Sequence, residues 1–325
     1  MTAKNKQPCK SVIITGGNTG LGYQCARRIA LSDQEWQIIL ASRDTNKAND
    51  AVIKLKAETG NNNITCLELD LASLTSVRKF AKTFLKSGAP PLHAIVCNAG
   101  LQIIKGTTYT QDGFETTFGV NHLGHFLLVH LLLKHISEPG RIIFVSSGTH
   151  DPEQATGIPA PIYVNAKNLA YPDSNSSEES DTIIGRRRYS TSKLCNIYCT
   201  YEFADRIRRE TSKNIIVNAF DPGLMPGTGL ARQVSPIAFL VWKYILPIIT
   251  LLPINANTPK KSGKALASLV TSPLFSNVTG KYFEGIKEIK SSKLSYSKEN
   301  AQDLWNTSVN LVKLSKDETI LSIKL

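Results

Sequence analysis

The chain has little of what marks a secreted, multidomain or metal-dependent protein. Its six cysteines, Cys9, Cys25, Cys66, Cys97, Cys195 and Cys199, show neither CxxC spacing nor a secreted-disulfide pattern. Cys66 and Cys97 lie in apolar runs that read as buried strands, and Cys195 and Cys199 share one helix face, so core packing accounts for them better than redox or metal chemistry. The first ten residues are polar and carry no apolar h-region, which argues against a signal peptide and for a reducing, cytoplasmic setting. No internal repeat and no composition break appear, so one domain spanning 1–325 is expected. His122 and His125 sit three apart, but no carboxylate or third ligand accompanies them, and no metal is expected.

Positive charge is what the chain has in excess: 38 Lys and Arg against 26 Asp and Glu give a net +12. The cations are scattered, with short clusters at 27–28, 186–188, 206–209 and 260–261. There is no basic stripe interleaved with aromatics and no recognition motif, so nucleic acid is not the expected partner. A polyphosphate cofactor, an acidic substrate or an anionic membrane surface explains the sign equally well.

Apolar runs at 11–15, 36–41, 63–69, 92–97, 141–145 and 215–219 alternate with helical segments at 23–31, 45–58, 73–86, 111–135 and 189–210. The strand runs are continuously apolar, which predicts an α/β fold with a parallel sheet covered on both faces. Between them, 151–188 is polar and rich in Pro and Ser and reads as an inserted loop or lid. Residues 230–258 contain the most apolar window, but Lys243 stands in its middle and Pro247 interrupts it. A helical cap over an apolar pocket, with peripheral membrane contact left open, fits that pattern better than a membrane span. A helix at 261–270, a strand near 281–283, a helix at 300–314 and a tail at 315–325 complete the chain.

Three stretches carry chemistry. Thr15-Gly16-x-x-x-Gly20-x-Gly22 follows the first strand and opens the first helix, where glycines let the backbone of Gly16, Asn18, Thr19, Gly20, Leu21 and Gly22 approach a pyrophosphate. A tight strand–helix turn is the plainer alternative. The second strand ends at Arg43, where an NAD site would place an acid; Arg43, with Lys47 one turn on, offers cations to a 2′-phosphate and favours NADP(H), although Asp44 adjoins it. Finally, Tyr189 and Lys193 stand four apart, on one helix face. An ammonium there is expected to lower the phenol from its usual pKa of about 10, as an acid/base in carbonyl chemistry requires.

Taken in order, Thr15 to Gly22, Asp70-Leu71, Asn98-Ala-Gly100, Asn121, Ser147, Tyr189-x-x-x-Lys193 and Pro222-Gly223 resemble the short-chain dehydrogenases/reductases over about 11–314. The resemblance implies a Rossmann-type doubly wound sheet. It implies that Asp70 and Leu71 hold the adenine edge and that Asn98, Ala99 and Gly100 line the cofactor floor. Tyr189 would be the general acid/base, Lys193 its pKa-lowering partner and ribose ligand, and Ser147 the donor to the substrate oxygen. Asn121 would hold a relay water, Pro222 and Gly223 would pass the nicotinamide, and Thr228 would reach its carboxamide or phosphate. Within the family, Tyr189-Ser-Thr-Ser-Lys-Leu-Cys-Asn196, the preceding insertion, the apolar segment after Gly223, Gly280-Lys-Tyr-Phe283 and Leu304-Trp305 are similar to light-dependent protochlorophyllide reductases and retinol-dehydrogenase-like members. Leu224 stands where the former carry Cys, and Asp221 replaces the aromatic usual before the Pro-Gly pair.

The expected function is an NADP(H)-dependent oxidoreductase acting on a bulky, largely apolar carbonyl/alcohol or C=C substrate, with Arg186, Arg187 or Arg188 meeting an acidic group on it. Protochlorophyllide reduction and a non-catalytic NADP(H)-binding regulator are the alternatives. The sequence leaves a homo-oligomer open.

Overall fold

The computed structural model describes residues 8–33, 35–173, 179–225 and 257–323. Thr228 and almost all of the apolar 230–258 segment lie outside them. Eight strands form one sheet: β1 (Lys10–Thr15), β2 (Trp36–Ser42), β3 (Ile64–Glu68), β4 (Leu92–Cys97), β5 (Ile136–Val145), β6 (Ile215–Asp221), β7 (Lys281–Glu284) and β8 (Lys287–Ile289). Their order is β3-β2-β1-β4-β5-β6-β7-β8, parallel except for the β7–β8 hairpin.

The continuous apolar runs are explained by two cores, one on each face. Val12, Ile14, Ile38, Leu40 and Val96 enter one core, while Ile13, Ile39, Ile95 and Cys97 enter the other. A strand buried on both faces has no polar side to alternate with. The first core is closed by α1 (Gly20–Ser32) and α2 (Thr45–Thr59), with α7 (Pro259–Thr271). The second is closed by α3 (Leu74–Lys86), the composite α4, α6 (Asp181–Glu210) and α8 (Lys298–Leu311), with the short α5 (Ala166–Ala170) beside them. Cys66, on the outlying β3, is only half-buried, whereas Cys97, Cys195 and Cys199 are buried free thiols.

Two helices begin elsewhere than their sequences suggest. The helix expected from 111 starts at Thr116, because the preceding turn is held to α3: Gln111 donates to the Ala72 carbonyl and Asp112 accepts from the Leu74 amide at 2.8 Å. Glu115 then caps the new start, its two oxygens accepting from Thr117 and Phe118 amides at 2.9 and 2.7 Å. This helix, α4, runs Thr116–Phe118, then a π turn Gly119–Leu123, then Gly124–Leu133. The helix bearing Tyr189 starts at Asp181, so 181–188 are helical rather than loop. Asp181 accepts from the Gly106 amide at 3.1 Å, and Gly185 lies so close to the chain at Ile103 that an added Cβ would come within 1.9 Å of its carbonyl oxygen. Among the described residues no helix is long and apolar enough to cross a membrane.

Candidate active site

The sheet order reverses between β1 and β4, and a crevice forms beyond their carboxyl ends. The turn after β1 enters α1 there. Gly16 and Gly20 have φ of 61° and 56°, which disfavours any residue with a Cβ. Gly22 is fixed by space instead: a Cβ there would lie 2.6 Å from both Asn98 Nδ2 and the Gly16 carbonyl oxygen. α1 also differs at its start from α2, α3, α7 and α8, whose first amides are capped by the side chains of Asp44, Ser73, Thr258 and Ser297. Its own N-cap, Thr19, makes no side-chain cap and no acid stands in its first turn. The positive end of this helix, with exposed Thr19 and Gly20 and half-buried Gly16 and Asn18 at its mouth, is suited to a pyrophosphate. Leu21, by contrast, is buried in the core behind it.

Thr15 ties this turn to β4. Its hydroxyl oxygen accepts from the Asn98 and Ala99 amides, both at 2.9 Å, and Asn98 Nδ2 donates to the Thr15 carbonyl at 2.7 Å. His125 completes the knot. Its Nδ1 lies 3.1 Å from the Asn121 carbonyl, which can only accept, so Nδ1 carries the proton. Burial pushes the His125 pKa down to about 4, so Nε2 is an acceptor and takes the Thr15 hydroxyl proton at 2.8 Å. His122 bonds to Ser308 Oγ at 2.8 Å; the pair packs, and among the described residues no three-ligand cluster surrounds a metal position.

The π turn of α4 carries Asn121, fully buried, toward α6. Its Oδ1 accepts from the Leu101 amide at 2.9 Å, while Nδ2 donates to the Leu101 carbonyl at 2.9 Å and to Ser192 Oγ at 3.0 Å. Gly100 leaves the way open: a Cβ there would stand 3.4 Å from Asn121 Oδ1 and 3.5 Å from Lys193 Nζ. Tyr189 is buried, and the half-buried Ser147, just after β5, acts to lower the pKa of its phenol. Lys193 Nζ lies 5.4 Å from the centre of the Tyr189 ring and donates to the Val145 carbonyl at 3.0 Å.

Burial reverses the pKa expected from spacing alone. The Tyr189 phenol is pushed above its ordinary value, first by desolvation and then by the Asp221 carboxylate, with Ser147 opposing them. Lys193 falls to about 8, because its buried ammonium loses solvation that Asp221 only partly replaces. Tyr189 is therefore a protonated phenol at neutral pH, the form that can give a proton to a carbonyl oxygen.

The remaining expected residues divide. Arg43 is exposed at the end of β2. Asp44 caps α2 through the Lys47 amide at 3.0 Å and pairs with Lys47 Nζ at 2.7 Å, so both are engaged with each other. Asp70 accepts from the Ala72 amide at 3.0 Å, and Leu71 is buried with its carbonyl under Gly124. Of the three arginines, Arg187 pairs with Glu179 and Arg188 bonds Thr107 at 2.9 Å. Arg186, half-buried, sits on the same helix face as Tyr189 and Lys193. Pro222 is buried and Gly223 turns the chain with φ of 74°. A cavity of about 80 Å³ lined by Glu115, Phe118, Arg188 and Thr191 is too small for a bulky substrate.

Sequence reasoning missed three features of the site: the π turn, the Thr15–His125 knot, and the partners of Asp221. Asp221 is buried at the end of β6, accepting from the Gly223 amide at 2.8 Å and the Tyr282 hydroxyl at 3.1 Å. Its partners are distant in sequence; an acid where an aromatic is usual was the available signal.

The chain is similar to known proteins over most of its length. Residues 10–167 match the family described as short chain dehydrogenase. The chain is 34% identical to a chloroplastic protochlorophyllide reductase of Daucus carota, over 94% of this chain and 78% of that one. It is 34% identical to retinol dehydrogenase 13 of Mus musculus, over 95% and 85%. An uncharacterized protein from Mycobacterium paratuberculosis superposes with a TM-score of 0.68 at 25% identity, covering 95% of each chain.

Proposed function

Because the chain belongs to the short-chain dehydrogenase family of oxidoreductases, we propose that it transfers a hydride between NADP(H) and a bulky, largely apolar carbonyl/alcohol or C=C substrate. Most weight falls on the buried Tyr189 phenol with the Lys193 ammonium 5.4 Å from its ring centre, near the uncapped start of α1. Gly16, Asn18, Thr19, Gly20 and the amides leading into α1 hold the pyrophosphate. Asn98, Ala99 and Gly100 form the floor, Asp70 and Leu71 border the adenine, and Pro222, Gly223 and Thr228 pass the nicotinamide.

When bound, the nicotinamide supplies or accepts the hydride at the substrate carbon. Ser147 orients the substrate oxygen and stabilises the charge that develops on it. Tyr189 gives its phenolic proton to that oxygen in reduction and takes it back in oxidation. The Lys193 ammonium stabilises the resulting phenolate and binds the nicotinamide ribose. Asn121, which the π turn holds near Lys193, positions the water through which the proton is replaced. A regulator that only bound the nucleotide would have no need of the buried phenol and ammonium.

Arg43 supports NADP(H) over NAD(H), since its guanidinium is exposed while Asp44, the acid that could take a ribose hydroxyl, is occupied by Lys47. Arg43→Ala is expected to weaken NADPH binding at least about tenfold, the scale of one charge-assisted pair, with NADH binding little changed. Fluorescence titration of both nucleotides measures this; equal losses for the two would remove the basis for the preference. Retinol and protochlorophyllide, named in the two relatives, are both large and mostly apolar, which supports the substrate class. Arg186, on the face of Tyr189, is assigned to an acidic group on the substrate. Arg186→Gln should raise KM about tenfold for an acidic substrate and leave kcat unchanged; an unchanged KM would exclude that contact. The assay that tests the reaction is NADPH consumption across apolar aldehydes, ketones, retinoids and tetrapyrroles, run dark and illuminated. Product only in light would move the assignment to protochlorophyllide reduction.

A further inference from the structure

We propose that Asp221 is a positioning residue of the proposed reaction: its carboxylate, packed against Gly148, holds the Pro222–Gly223 turn beside the Ser147 turn. This rests on the oxidoreductase reading of the site.

The geometry is a closed network around one buried carboxylate. On one side, Oδ1 accepts from the Gly223 amide at 2.8 Å, fixing the turn assigned to the nicotinamide. On the other, the carboxylate packs against Gly148, next to Ser147, where a Cβ would lie 3.2 Å from Oδ2. A second donor is the Tyr282 hydroxyl at 3.1 Å, from β7. Tyr282 packs in turn on His150, with ring centres 4.9 Å apart. His150 accepts the Ser292 amide at Nε2 (2.9 Å), so its Nδ1 carries the proton and donates to the Ser147 carbonyl at 2.7 Å. The residue proposed to hold the substrate oxygen is thus braced from both flanks. An aromatic side chain at 221 could not accept from the Gly223 amide and the Tyr282 hydroxyl.

Among the described residues, the charged and titratable groups that act with Asp221 include Tyr189 and Lys193 on α6 and Tyr282 and Glu284 on β7. Burial and Glu284 push Asp221 up, to about 6, against the hydrogen bonds from Gly223 and Tyr282. Asp221 in turn raises Lys193, which still stands at about 8. The charged carboxylate and the charged ammonium therefore coexist between about 6 and about 8. Below that window the carboxyl is protonated and the clamp loses acceptors; above it Lys193 loses its proton.

The test is the pH dependence of two quantities that report the free enzyme, the NADPH dissociation constant by fluorescence and kcat/KM for NADPH with retinaldehyde as the probe. The wild type should show an acid limb near 6 and an alkaline limb near 8. Asp221→Asn should abolish the acid limb and move the alkaline limb to lower pH, as Lys193 loses its counter-charge, with a fall in kcat of about tenfold or more. Tyr282→Phe removes one donor to the carboxylate and should move the acid limb to higher pH, leaving the alkaline limb in place. If both variants only lowered rates or thermal midpoints, with both limbs of the binding and rate profiles unmoved, Asp221 would be a structural residue and the proposal would be overturned. Tyr189→Phe separates the two claims. Should it turn over normally, the reaction assignment fails, while the limbs of the NADPH binding curve still decide for or against Asp221.

Discussion

Tyr189→Phe is expected to lower kcat about a thousandfold, within the range attributed to a positioned general acid/base, while NADPH affinity stays within about threefold. The reasoning separates ring from hydroxyl. Phe keeps the buried ring and its contact with Lys193, so the nucleotide site and the fold are undisturbed. It removes only the hydroxyl proposed to give its proton to the substrate oxygen. Stopped-flow measurement of NADPH oxidation with a saturating apolar aldehyde, paired with fluorescence titration of NADPH, checks both halves. A variant that kept turnover within tenfold would show that Tyr189 is not the proton donor.

Gly22→Val should all but abolish NADPH binding, by about a hundredfold or more. A single Cβ at this position would already stand 2.6 Å from Asn98 Nδ2 and from the Gly16 carbonyl, and 3.0 Å from Gly17 Cα. Two of those three atoms are backbone of the phosphate turn itself, so relief requires moving the turn away from α1. Such overpacking costs about 1–3 kcal/mol in stability, which a domain of this size can survive. The disruption falls on the amides assigned to the pyrophosphate. Circular dichroism melting and NADPH titration together distinguish this local effect from general unfolding. A folded Gly22→Val protein that bound NADPH normally would remove the phosphate turn from the site.

The sheet was legible because its strands are buried on both faces and so appear as uninterrupted apolar runs such as Val12-Ile-Ile14 and Ala94-Ile-Val96. The phosphate turn was legible because only glycine suits Gly16, Gly20 and Gly22, two by backbone angle and one by space. The early start of α6 was not. Its first turns carry a polar and arginine-rich stretch with no apolar face, and what fixes them is the close approach of Gly185 to Ile103. The direction of the Tyr189 shift was also hidden, since spacing gives the neighbour but not the depth of burial, and burial prevails. The partners of Asp221 were hidden for a related reason. Gly148 and Tyr282 are brought to it only by the parallel pairing of β5, β6 and β7. Thr228 and almost all of the apolar cap proposed for 230–258 lie outside the described residues.

The most direct test of the whole account uses NADPH carrying deuterium at both C4 positions, retinaldehyde as acceptor, and mass spectrometry of the alcohol formed. The account predicts one deuterium on the carbinol carbon of the product with the wild-type protein, and no labelled alcohol above background with Tyr189→Phe. Labelled alcohol formed equally by both proteins, or NADPH consumed without deuterium reaching any substrate across the apolar panel, would contradict it.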